Sequence, residues 1–162
     1  MLEGAVMEYA KMFIAMLGIM FIAVAVIFMF RLNEVNSFQQ DVNYQIERHG
    51  GLTEDAKIAL NEKAKTAYGG CIVESSANNA PCLFEADRND ESVKSSGFFI
   101  REYKTEDDGS AVYYDRGGEQ ARYGTTINYV LTRQIGDVSG TSFFKPAVLG
   151  TSASRVRGTP GG

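Results

Sequence analysis

The most constraining feature of the chain is an unbroken apolar run near its amino end, residues 12–30, which reads MFIAMLGIMFIAVAVIFMF. It contains no charged residue and no proline, and as a helix it would rise about 28 Å, close to the thickness of a bilayer's hydrocarbon layer. The residues before it carry Glu3 and Glu8 against Lys11, and the run ends in large side chains. A removable signal peptide has a basic leader, a shorter apolar core and a small-residue cleavage site. We therefore expect the run to be retained as a membrane-spanning helix.

The helix is predicted to continue past residue 30 as an amphipathic helix. Apolar residues recur there at three- and four-residue steps, with polar residues between them. Gly50 and Gly51 provide the left-handed backbone positions that end a helix, and Arg48 and His49 lie where basic side chains favour its C-terminus. We predict one stem helix over residues 1–50, whose second half has an apolar stripe formed by Leu32, Val35, Phe38 or Gln39, Val42 and Ile46.

A short second helix is predicted next, as the first part of a small globular domain over residues 51–162. Thr53 is its N-cap, acidic residues fill its first turn, and Gly69 follows its last residue. Its predicted apolar face consists of Ile58, Ala59, Leu60, Ala64, Ala67 and Tyr68.

Beyond the second helix the pattern changes to an alternation of period two with turn residues between the segments. A hairpin with Asp108 and Gly109 at its tip joins two of these segments. The order of helices followed by strands predicts an α+β fold, with an antiparallel sheet of four or five strands at about residues 97–157. The strand candidates are residues 71–74, 82–84, 97–104, 111–115, 125–133 and 147–156.

The two cysteines, Cys71 and Cys82, lie eleven positions apart in a loop-like segment. In an oxidising compartment they would close a short loop, which typically stabilises a domain by about 2 to 4 kcal/mol, whereas in a reducing one they would be free thiols. Their spacing matches neither a redox pair nor a zinc site. Of these alternatives we predict the disulfide.

The sequence shows no set of residues suited to catalysis, to a metal or cofactor, or to nucleic acid. His49 is the only histidine, and the scattered charges with a net charge of -4 form no basic surface. Asp87, Asn89 and Glu91 alternate as calcium ligands do, but the central glycine and terminal glutamate of a calcium loop are missing. We therefore expect a protein that is not an enzyme, uses no cofactor and makes no contact with nucleic acid.

The segment GAVMEYA, residues 4–10, resembles the start of Tad-type pilins and TadE-like pseudopilins in the type IV pilin superfamily. These proteins have a glycine, an apolar spacer, a glutamate, an aromatic residue and an alanine before an apolar stem. In that family a peptidase cuts after the glycine, and the glutamate is fifth in the mature chain. Here three residues separate Gly4 from Glu8, one fewer than in the family, and Glu3 would be the early glutamate if Met1 is the mature first residue.

The resemblance implies a pilin, the structural subunit of an extracellular helical filament. The chain would be stored in the cell membrane with its sheet domain outside the cytoplasm, then assembled by the pilus machinery into a homopolymer through its stem helices. The implied filament-core residues are Ile14, Leu17, Gly18, Phe21, Val24 and Phe28.

The acidic residues before the apolar run would have a physical role in such a filament. A carboxylate buried among apolar stems needs a partner, so Glu3 or Glu8 would pair with Lys11 or with a neighbour's terminal amine and set the register between stems. Alternatively, both glutamates would lie in the headgroup region of the membrane. The alternative function is a membrane-anchored pseudopilin, or a component of a secretion or conjugation apparatus, that does not form the main filament.

Overall fold

The fold is α+β, as predicted, in a computed structural model that describes residues 2–77, 80–90, 97–133 and 146–157, with side chains from residue 4 onward. Two helices precede a 3-10 turn at Glu85–Asp87 and one sheet. The helices are α1 (Leu2–His49) and α2 (Glu54–Tyr68), and the strands are β1 (Phe98–Thr105), β2 (Ala111–Tyr114), β3 (Thr126–Arg133) and β4 (Ala147–Ala153).

The chain forms two compact units, Met1–Glu34 and Val35–Gly162, so the division falls inside α1. The sequence predicts a boundary at residue 50, where α1 ends. The earlier boundary has a physical reason, since from Val35 onward α1 carries a buried apolar stripe. A helix face that packs on a sheet belongs to the sheet's domain.

The first unit is the N-terminal part of α1, and every side chain described from residue 4 to residue 30 is exposed. Its apolar window has a mean hydropathy of 2.9, and none of that window is buried within the chain. By length and composition the helix could cross a membrane.

The second unit has one main core, between the striped half of α1, α2 and one face of the sheet. The predicted stripe is confirmed from Val35 to Ile46, with Phe38 rather than Gln39 as its third member, whereas Leu32 is only partly buried. The ring of Phe38 lies 4.1 Å from that of Phe98 and 5.5 Å from that of Tyr68, measured between centroids. The core also contains Val35, Val42, Ile46, Leu60, Ala64, Ile100, Ile127, Tyr129 and Leu131.

Helix α2 has the predicted caps but not the whole predicted apolar face. The Thr53 hydroxyl accepts a hydrogen bond from the Ala56 amide at 3.3 Å, and Gly69 adopts the left-handed conformation after the last turn, with φ of 62°. Ile58 is 50% exposed and Ala67 is also exposed, so their assignment to the buried face is wrong. The buried face contains the polar Asn61 instead, which is invisible to a pattern of apolar residues.

The sheet has four strands in the order β2-β1-β3-β4, and every neighbouring pair is antiparallel. The predicted alternation in β3 is confirmed, because Ile127, Tyr129 and Leu131 all face the core. Gly150 lies opposite Tyr129, and a Cβ atom at Gly150 would overlap the tyrosine ring. The glycine therefore makes room for the Tyr129 ring.

The predicted strands at residues 71–74 and 82–84 are only isolated bridges, Ile72 with Phe98 and Val73 with Cys82. The predicted last strand ends at Ala153 rather than at residue 156. The loop that carries the bridges covers the second face of the sheet, where a smaller apolar cluster contains Cys71, Val73, Cys82, Phe99 and Val130. A short loop fixed by a covalent bond does not need a full strand to stay in place.

Candidate assembly surface and polar anchors

The acidic segment before the apolar run lies within α1. Glu8 and Lys11 are both exposed, and the structure places them three positions apart on the helix without an ion pair between these two side chains, both of which it describes. The side chain of Glu3 lies outside the described residues. A partner for Glu8 from another copy therefore stays a prediction.

The predicted filament-core residues share one face of α1. At about 100° per residue, the six positions fall within an arc of about 120°. All five side chains among them are exposed, and a Cβ atom at Gly18 would meet nothing within 4 Å. This face is therefore exposed on the first unit. Its members are Ile14, Leu17, Gly18, Phe21, Val24 and Phe28.

A shallow apolar groove occupies an adjacent face of the same unit. The sequence does not predict this groove, which shares only Phe21 with the predicted filament-core face. The groove forms because Ala25 is small between larger neighbours. Its residues are Phe21, Ile22, Ala25, Val26, Met29, Phe30 and Asn33.

Arg31 and Glu34 follow the apolar run and form an ion pair at 3.0 Å.

In the second unit, the disulfide loop is attached to the domain at both its ends. Cys71 and Cys82 are bonded, with an S–S distance of 2.03 Å, as predicted. Asn61 accepts a hydrogen bond from the Ile72 amide at 2.9 Å and donates one to Asp87 at 2.6 Å. One buried side chain on α2 thus binds the residue after the first cysteine and a residue shortly after the second.

Asp87 also forms an ion pair with Lys65 at 2.8 Å. Burial alone raises the pKa of Asp87, but the hydrogen bonds from Lys65 and Asn61 outweigh it, so the pKa lies below its ordinary value. The same hydrogen bond raises the pKa of Lys65. The carboxylate considered as a calcium ligand is therefore engaged by an amide and an ammonium group, and Glu91 lies outside the described residues.

A buried ion pair holds the turn between the two helices. Both carboxylate oxygens of Glu102 accept hydrogen bonds from Arg116, the closest at 2.8 Å, and one also accepts the Leu52 amide at 2.5 Å. Gly51, with φ of 136°, lies directly against Arg116. This ion pair is not predicted from the sequence, although a glutamate at an inward position of β1 is a signal that could have suggested it.

Two further polar groups in the core have structural roles. The Tyr129 hydroxyl donates to the Asn43 side chain at 2.6 Å, and burial raises the pKa of Tyr129 to about 12. The buried guanidinium of Arg133 lies 4.8 Å from the Phe98 ring, and its Nη2 is 3.5 Å from the carbonyl oxygen of Tyr68 at the end of α2. A cation there complements the negative end of the helix.

Taken together, the polar clusters hold elements in place. Among the described residues no group of three or more histidine, cysteine, aspartate or glutamate side chains could hold a metal ion. The surface with the most evident need for a partner is the apolar helix of the first unit.

Comparison with known proteins gives one relative and no family. No family model matches the chain, and no solved structure matches it. An uncharacterized protein of Bacillus anthracis, pXO2-21, is 39% identical over 72 residues, which are 44% of this chain and 60% of that protein. The match thus spans less than two thirds of the relative's length.

Proposed function

We propose that the protein is a pilin-like structural subunit, held in the cell membrane by residues 12–30 and assembled into an extracellular filament through its N-terminal helices. The observation that carries the proposal is the exposed apolar half of α1, which continues without a break into a half that packs on the domain. The resemblance of residues 4–10 to the start of Tad-type pilins and TadE-like pseudopilins supports the same function.

The two halves of α1 have different requirements. The second half satisfies its apolar stripe within the chain, whereas the first half has apolar side chains on all sides and none buried. Lipid meets that requirement before assembly, and neighbouring helices meet it in a filament. A one-sided apolar helix would not suit both surroundings.

The experiment is to compare filament formation in cells that produce Glu8→Ala, Glu3→Ala and the double variant. We expect loss of filaments from sheared material in electron microscopy, with normal amounts of the protein in membranes, because the acids would fix the register between stems. Glu54→Ala, which removes an exposed acid from α2, is the matched control and should leave filaments unchanged.

Unimpaired filaments in the double variant would refute the role given to the acids. Protein found only in membranes, with no filaments from the unaltered chain, would refute the filament and favour an anchored pseudopilin or apparatus component. Peptide identification of the sheared material establishes which of these outcomes applies.

A further inference from the structure

Among the residues that the structure describes, no strand pairs with the outer edge of β2 or of β4, and these two edge strands run in opposite directions. With the order β2-β1-β3-β4 and antiparallel neighbours throughout, β2 runs opposite to β4. A second copy placed beside β4 in the same orientation would therefore present its β2 antiparallel to that strand. Antiparallel pairing is the geometry in which two strand edges exchange direct hydrogen bonds.

The backbone groups of the two edges match in position. The Arg133 amide donates a hydrogen bond to the Pro146 carbonyl, and the Ser154 amide donates one to the Thr125 carbonyl. Along an antiparallel strand, residues alternate between bonding to one neighbour and facing the other side. Thr151 therefore directs its backbone N–H and C=O away from β3. Next to β2, the Glu106 amide donates a hydrogen bond to the Ser110 carbonyl. By the same alternation, the backbone N–H and C=O of Tyr113 point away from β1.

The register also places these two outward-facing residues at the same level. Tyr113 pairs with Tyr103, Tyr103 with Asn128, and Asn128 with Thr151. The edges of two copies would thus meet without a shift along the strands.

The edges carry exposed apolar side chains and little protection. Strand β4 reads AVLGTSA, with no charge and no proline, and its pairing with β3 runs through seven residues without a bulge. Natural edge strands usually carry a charged residue, a proline or a bulge, and these features prevent pairing with another chain. Leu149 of β4 is 71% exposed, and Tyr113 of β2 is 56% exposed.

The charges beside the two edges are complementary. The β1–β2 hairpin tip carries Glu106, Asp107 and Asp108, while Arg155 and Arg157 follow β4. The register puts the tip and the residues after Ala153 at the same end of the sheet. Arg155 also pairs with Glu47 at 3.0 Å, but its side chain stays largely exposed.

We propose that β4 of one copy pairs with β2 of a second copy in the same orientation, so that the sheet continues from copy to copy. The two surfaces differ, so each copy keeps one edge free and the contact extends beyond a dimer. The proposed filament supplies the second copy, but the contact involves only the sheet domain and is tested separately from stem packing.

The test places a photo-crosslinking amino acid at Tyr113 of the full chain in its membrane. We expect crosslinks to residues 147–157 of another copy, in a ladder that reaches three or more chains. The same amino acid at Tyr44, which is equally exposed on α1, is the control and should give no crosslinks to that segment. Absence of crosslinks from Tyr113, or crosslinks only between two Tyr113 positions, would overturn the inference.

Variants of the edge test the backbone pairing itself. Leu149→Pro removes an outward N–H that makes no bond to β3, and it should lower the crosslink yield about tenfold, while Leu149→Ala keeps the N–H and should lower it less. Near-ultraviolet circular dichroism of the domain tyrosines, compared with that of the unaltered chain, shows whether each variant is folded. An unchanged yield in folded Leu149→Pro overturns the inference.

A charge exchange provides a second set of variants that leaves the strands untouched. Asp107→Lys and Arg157→Glu should each lower the yield, and chains carrying both changes should recover it. No recovery in the doubly changed chain overturns the proposed orientation.

The outcome is also independent of the filament proposal. A crosslink ladder in membranes of cells without filaments supports the edge contact and refutes only the filament. Normal filaments from chains that give no crosslinks at Tyr113 refute only the edge contact.

Discussion

Replacing Phe38 by alanine tests whether the second half of α1 is an integral part of the domain. Phe38 is fully buried, with its ring centroid 4.1 Å from that of Phe98 and 5.5 Å from that of Tyr68. Removing a buried phenylalanine costs about 3 to 5 kcal/mol, which includes the lost aromatic contacts. For a domain of this size that corresponds to a fall in melting temperature of about 10 to 20 °C.

The assay is thermal unfolding of the full chain in detergent, followed by near-ultraviolet circular dichroism of the domain tyrosines. Tyr44→Ala is the matched control, because Tyr44 is 58% exposed on the same helix, and its effect should stay within about 0.5 kcal/mol. Equal shifts for Phe38→Ala and Tyr44→Ala would refute the assignment of this half of α1 to the domain core.

Three further predictions concern the domain. Changing Cys71 and Cys82 together to serine should cost about 3 kcal/mol, since the bond closes a loop with a separation of 11 residues, and a reductant should then shift the melting temperature of the unaltered chain only. Because folding lowers the pKa of Asp87 from 3.8, its charge stabilises the fold fully above that pH, and this stabilisation is lost as the pH falls through the lower pKa of the folded state. In Asp87→Asn, the free energy of unfolding should therefore depend less on pH in the acid range. An identical pH dependence in the two chains would contradict the ion pair. Gly150→Ala should cost about 1 to 3 kcal/mol, because its Cβ overlaps the Tyr129 ring, and an unchanged melting temperature would show that the ring can move aside.

The parts of the fold that follow from local chemistry were predictable. The stripe of α1 and the alternation of β3 are periodic patterns of apolar residues, and both are buried as their periods indicate. The cap of α2 at Thr53 and the left-handed Gly69 are likewise local, because each depends on a few neighbouring residues. The disulfide was one of two alternatives for the cysteines, whose spacing matches neither a redox pair nor a zinc site.

The parts that were not predictable depend on contacts between distant segments. Asn61 is polar and lies on a helix, so only the approach of the disulfide loop explains its burial. The pair of Glu102 with Arg116 joins residues 14 positions apart across a turn, and its third partner, Leu52, is 50 positions away. The prediction that Ile58 is buried was wrong for the opposite reason, because an apolar side chain is buried only where another element covers it.

The apolar half of α1 limits the states in which the protein can exist. Eighteen large apolar side chains from Val6 to Phe30 are exposed, and leaving each in water costs about 1.5 to 3 kcal/mol relative to burial. The sum is tens of kcal/mol, which exceeds the 5 to 15 kcal/mol that typically stabilises a whole domain. No rearrangement of the domain could compensate for transfer of this helix into water. A filament subunit of this kind would therefore have to pass directly from lipid to contact with other helices, and machinery at the membrane would have to join the two steps.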